Sequence, residues 1–225
     1  MHTDRSNPLP TGLASTDLTS GQRALLQHKI HVDPGAWVQS DAGVRSRLTS
    51  AWTAALRLVD LLGGMPEDAL NWWAYHPRGH VLLTGNEEGY CLGERISGDR
   101  RLAAVALVPL QRIVTQPNQA VTAALHVLDH LLGCDGEPSG GWLSDGSGRS
   151  QRWHPIGCQI AALFPLGYGI SDAAQQDPHK YLAEAVWLAL DDRSQLNVAD
   201  PKLERLLHHS LLNRGFWRNF LAEER

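Results

Sequence analysis

Along residues 44–62 the apolar positions recur at three- and four-residue steps: Val44, Leu48, Ala51 with Trp52, Ala55 with Leu56, Val59 and Leu62. That period predicts an amphipathic helix, stopped by Gly63-Gly64. A weaker helix is expected over 22–31, ended by Asp33-Pro34-Gly35. Pro66 opens a short helix through Trp72 and Trp73, with Glu67 and Asp68 in its first turn, where they suit the helix dipole. The pattern then shifts to short apolar runs bounded by turn residues. Strands are expected over 80–84, 90–96 and 102–110, joined through Asn86-Glu-Glu-Gly89 and Ser97-Gly-Asp99. This reads as a small three-stranded sheet, meandering in chain order.

Helical spacing returns at Pro117. Val121, Leu125, Leu128, Leu131 and Leu132 line one face, and Gly133 ends it. A glycine-rich stretch, 134–148, is expected as an ordered loop over a cleft. Further helices open at Pro155, at Asp177-Pro178, at Pro201 and around Leu211. In the second of these, Asp177 is a good N-cap and Pro178 sits at the first helical position. Helices, then a small sheet, then helices make an α+β fold that is mostly helical. The expected organisation is a flexible tail over 1–20, an N-terminal helical segment over 21–64 and a main domain over 65–225.

Charge narrows the function classes. With 24 acidic and 20 basic residues the net charge is -4. A nonspecific nucleic-acid binder needs a basic surplus to displace counterions, so that class is disfavoured. No apolar run reaches the length that spans a bilayer, and the polar start lacks the apolar core of a secretory signal. A cytoplasmic protein with no membrane or nucleic-acid partner is the expectation. Three widely spaced cysteines, Cys91, Cys134 and Cys158, argue against a disulfide framework.

The histidines carry the candidate chemistry. Two H-x-x-x-H pairs occur among eleven histidines. His76 and His80 flank Pro77 and Gly79 and so lie off any helix. His126 and His130 lie one turn apart on the 117–133 helix, so both imidazoles project on one face and could hold one zinc ion. The plainer reading is two satisfied histidines on a buried face. Glu184, set among Leu182, Ala183 and Ala185, is the candidate third ligand, because a carboxylate in such surroundings is costly unless paired or metal-bound. Its plainer reading is an exposed helix position.

Ala124-Leu-His-Val-Leu-Asp-His130, a glycine-rich loop and Pro178-His-Lys-Tyr-Leu-Ala-Glu-Ala185 together resemble the gluzincin metallopeptidases, nearest the catalytic domains of the anthrax lethal factor and Pro-Pro endopeptidase type. The resemblance covers roughly residues 65–190. It implies a zincin-like domain whose small sheet precedes the metal-binding helix, with His126, His130 and Glu184 as ligands of one Zn2+. It also implies a peptide or protein substrate, lying extended along an edge strand of the sheet. Val127 stands where the family has its general-base glutamate, and valine cannot take a proton from zinc-bound water. Three accounts stand side by side: a pseudoenzyme that keeps the metal or only the fold, Asp129 as a substitute base, or Asp129 as an orienting group. The family's oxyanion-stabilising tyrosine has no clean counterpart; Tyr168 and Tyr181 are the candidates, and ordinary core packing is the plainer reading of Tyr181. The expectation is a divergent, zinc-binding peptidase-like protein with weak or absent hydrolysis. The alternatives are a metal-free interaction module on the same fold and an active hydrolase using Asp129.

Overall fold

A computed structural model describes residues 18–166 and 170–224. Residues 1–17 of the tail expected over 1–20 and the candidate Tyr168 lie outside the described residues, while Thr19 and Ser20 already belong to the cap and first turn of a helix. In chain order the elements are α1 (Ser20–His28), β1 (Ile30–Val32), α2 (Ala36–Gln39), α3 (Ala42–Arg47), α4 (Ala51–Leu61) and α5 (Glu67–Tyr75). The strands β2 (His80–Thr84), β3 (Gly89–Ser97) and β4 (Arg100–Pro109) follow. After them come α6 (Leu110–Thr115), α7 (Pro117–Cys134), a 3-10 turn at Leu143–Asp145 and α8 (His154–Leu163). The chain closes through α9 (Asp172–Gln176), α10 (Pro178–Asp191), α11 (Arg193–Ala199), α12 (Pro201–His209) and α13 (Arg214–Glu223). The fold is α+β, as expected.

Local chemistry sets most helix starts. Thr19 and Gln22 form a reciprocal capping box on α1, and Asp41, Ser50 and Asn213 cap α3, α4 and α13. Asp177 and Asp200 each cap a helix whose first residue is proline. The helix expected over 44–62 is two helices, because Leu48 turns extended and Ser50 opens a fresh N-terminus.

The sheet differs from a three-stranded meander. It has four strands in the order β1-β2-β4-β3. β1, β2 and β4 are parallel, and β3 runs antiparallel along β4 as an edge. Apolar Val81, Leu82, Leu83 and Val105 to Val108 suit strands covered on both faces. β1 is three residues long, too short for alternation to reveal it. Between Cys91 and Glu94 the β3–β4 register slips, setting Leu92 and Gly93 against Ala104, which takes a left-handed backbone at φ 56°.

One buried core runs from Ala24 to Phe220. β1 extends the sheet and α1 packs against α5, so both sides of the expected 64/65 boundary share that core. A smaller cluster, Leu82, Leu102, Val105 and Leu107, forms separately within the sheet. The helix α7 packs against β4 and α10, and residues 127–133 are buried on every side. Among the described residues no helix is long and apolar enough to cross a membrane.

Candidate functional site

The two histidines of interest sit in the second half of α7, and α10 lies alongside it. The loop from α7 to α8 folds back over α7. Gly133 makes this approach possible: a Cβ there would lie 2.4 Å from the Gly141 carbonyl oxygen and 2.6 Å from the Leu143 nitrogen. The loop therefore brings Trp142 and the 3-10 turn Leu143–Asp145 onto the histidine face.

Trp142 occupies the middle of the site. Its ring lies 4.6 Å from His130, nearly stacked at 24°, and 4.3 Å from His179. Tyr90 from β3 packs against it at 5.0 Å, and His126 meets it edge-on at 6.4 Å. Both nitrogens of His130 are engaged. Nε2 lies 3.0 Å from the Glu137 carbonyl oxygen and Nδ1 lies 2.9 Å from the Tyr90 hydroxyl. A carbonyl only accepts, so Nε2 carries the hydrogen and Nδ1 accepts from the phenol. Burial lowers the His130 pKa and raises that of Tyr90, which keeps the imidazole neutral and the phenol protonated.

Asp129 is buried beside them. Its Oδ1 accepts from the Ser144 backbone N–H at 2.9 Å, and its Oδ2 accepts from Ser144 Oγ at 2.6 Å. Because that hydroxyl donates to Asp129, it accepts from His179 Nδ1 at 2.9 Å. His179 Nε2 lies 3.7 Å from Asp145. Burial alone would lower the His179 pKa, but Asp129, whose Oδ2 lies 3.6 Å from Nδ1, and the further charges of Asp145 and Asp177 outweigh it and raise the value. His179 thus ties α10, the loop and α7 together through Ser144 and Asp145.

The expected ligands fare differently. His126 is half-buried, and its Nε2 is buried with no hydrogen-bond partner. Burial lowers its pKa, partly opposed by Asp129 and Asp177. Glu184 Oε2 accepts from Ser171 Oγ at 2.7 Å, the residue that caps α9. The α10 residues facing α7 are Leu182, Ala183 and Val186, which close around Leu125, Leu128 and Asp129 with a void of only about 10 Å3. Glu184 lies about 100° around the helix from Ala183. Tyr181 is buried, and its hydroxyl donates to Asp200 at the start of α12, away from the histidines. Val127 is fully buried in the main core.

These residues, as arranged, do not fit a three-ligand zinc ion. One imidazole has an open nitrogen, the second has none, and the carboxylate is bonded elsewhere. Among the described residues no three His, Cys, Asp or Glu side chains form a group able to hold a metal. The residues that do converge are Tyr90, His126, His130, Trp142 and His179, with Asp129 and Ser144 beneath. Sequence spacing did not single out His179, although it stands inside the quoted 178–185 motif at the first turn of α10. No family model, curated protein or solved structure matches the chain.

Proposed function

We propose that this chain is a non-enzymatic peptide- or protein-binding module on a peptidase-like framework. The observation that carries this reading is the Trp142 indole, flanked by His130 and His179 where a metal and its water would need room. Asp129 supports it further. A general base must reach a water, and this buried carboxylate already accepts two hydrogen bonds from Ser144. The place for an extended partner is β3, an edge strand carrying exposed Leu92 and Ile96, whose outer backbone groups could pair with an added strand.

The unpartnered Nε2 of His126 favours a second reading, in which zinc binds after Trp142 and Tyr90 withdraw. Metal analysis of untagged protein separates the two. The module reading expects substoichiometric zinc and no cleavage of mixed peptide substrates, with or without added zinc. One zinc per chain, lost in His126→Ala and in Glu184→Ala, would establish the zinc reading instead. Turnover that disappears in Asp129→Asn would establish a hydrolase.

A further inference from the structure

The two faces of the edge strand β3 differ. From Cys91 to Ser97 its residues alternate between half-buried and exposed. On the half-buried face Cys91 packs onto the small cluster of Leu82, Leu102, Val105 and Leu107, and Arg95 Nη1 donates to Glu87 Oε1 at 2.9 Å. That face is satisfied within the chain. On the other stand Leu92, Glu94 and Ile96, with Leu92 41% and Ile96 67% exposed. Two of the six exposed large apolar residues among the described residues thus lie on this one strand, with a carboxylate between them. Glu94 has only a loose pair with Arg101, at 3.8 Å, and both side chains are mostly in solvent.

Among the described residues β3 pairs along one edge only, with β4. In an antiparallel ladder alternate residues turn their N–H and C=O groups away from the partner strand, so the outer edge offers main-chain groups to an added strand. β3 contains neither proline nor lysine, the residues that often block such an edge.

A second copy of the chain is a poor occupant on grounds of charge. Paired antiparallel over its full length about a two-fold axis, β3 would set each Leu92 against Glu94 of the other copy. Shifted so that Leu92 meets Ile96, it would set Glu94 against Glu94. The chain's own residues 1–17 are a poor match in sequence. Their one arginine or lysine is Arg5, and Thr3 and Asn7 stand two places to either side of it.

We propose that β3 takes an extended peptide segment of another protein in which an arginine or lysine lies between two apolar residues at two-residue steps. The cation sits beside Glu94 and the apolar pair beside Leu92 and Ile96. The pattern is the same in both chain directions, so a parallel or an antiparallel strand satisfies it. This names the partner of the binding module proposed above and rests on that reading.

Fluorescence anisotropy of the full chain with labelled peptides tests it. The probes are Thr-Ile-Thr-Lys-Thr-Ile-Thr, the same peptide with glutamate for lysine, and two forms of the lysine peptide, each N-methylated on one alternate set of amides. The lysine peptide should bind about fivefold tighter than the glutamate peptide, since the pair at Glu94 changes from opposite to like charges. N-methylation of one of the two sets should abolish binding, because those amides face β3. Glu94→Lys should reverse the order of the two peptides, and Ile96→Thr should weaken both, with circular dichroism unchanged. Equal binding of the two peptides, an unreversed order in Glu94→Lys, binding that survives N-methylation of either set, or no binding at all would overturn the inference. The binding-module reading would survive that failure if zinc stays substoichiometric and no peptide is cleaved. One zinc per chain together with turnover would remove that reading, whatever β3 binds.

Discussion

Ser144 shows how tightly the candidate site is spoken for. Its hydroxyl gives its one hydrogen to Asp129 and takes one from His179, and its backbone N–H also goes to Asp129. Removing the hydroxyl leaves a buried carboxylate oxygen and an imidazole N–H short of a partner. Ser144→Ala should therefore cost about 1–3 kcal/mol in urea unfolding, out of proportion to one oxygen atom. Tyr181 offers a contrast. Its phenol holds Asp200, whose other oxygen accepts from Leu203 N–H and caps α12. Tyr181→Phe should lower stability by about 1 kcal/mol. It should leave any peptide binding or hydrolysis unchanged; a loss of function without a loss of stability would return Tyr181 to the site. The residue pattern in the sequence could pair His126 with His130, because helical spacing is local. It could not reveal that Trp142 stands between them and His179, since that contact depends on a loop folding back on a helix from Trp142, twelve residues beyond His130.

Elements were legible where their own ends announce them. Asp177-Pro178 and Asp200-Pro201 mark α10 and α12 because cap and proline act within one turn. The strands β2, β3 and β4 showed as apolar runs between turns. Their order did not, because the parallel pairing of β2 with β4 is set by packing against distant helices, and β1 is too short to carry a period. The loop over α7 illustrates the same limit. The sequence reads it as an ordered loop but does not show what orders it: Gly133 and Gly157 serve close backbone contact, and a Cβ on Gly157 would lie 2.0 Å from the Ser147 carbonyl oxygen. Gly133→Ala should lift the loop off α7. The expected readout is faster amide hydrogen exchange at Leu143 to Ser147 with the exchange of β2 and β4 unchanged. Uniform protection across the loop would mean that the contact is dispensable.

At the scale of the whole molecule, pH is the lever. Burial pushes His31 down to about 3 and His80 to about 2, with Arg100 and Lys29 adding to the first and Lys29 and His31 to the second. His76, His126 and His130 are lowered by burial as well. A histidine kept neutral in the fold but free to protonate when unfolded contributes stability that is complete above its unfolded pKa, about 6.5, and is lost as pH falls toward the folded value. Each such group steepens the loss by on the order of 1 kcal/mol per pH unit. His179 has the opposite sign: its raised pKa gives stability that is complete below about pH 6.5 and fades as pH rises through the folded value. Thermal unfolding midpoints should therefore fall steeply below about pH 6 and decline gently on the alkaline side. His179→Asn should flatten the alkaline decline and leave the acid limb in place. An acid limb that is flat down to about pH 4 would contradict the buried, neutral state of His31 and His80.

The central claim is that Trp142 and its hydrogen-bonded neighbours, not a metal, hold the histidine face of α7. Long-range nitrogen-15 NMR of the imidazole rings reads this directly, because each ring nitrogen reports whether it carries hydrogen, accepts a hydrogen bond or binds metal. The account predicts a neutral His130 with hydrogen on Nε2 and an acceptor Nδ1, unchanged when one equivalent of zinc is added to untagged protein. Zinc-induced shifts at both His126 and His130 at that first equivalent, with Trp142 indole signals moving in step, would contradict it.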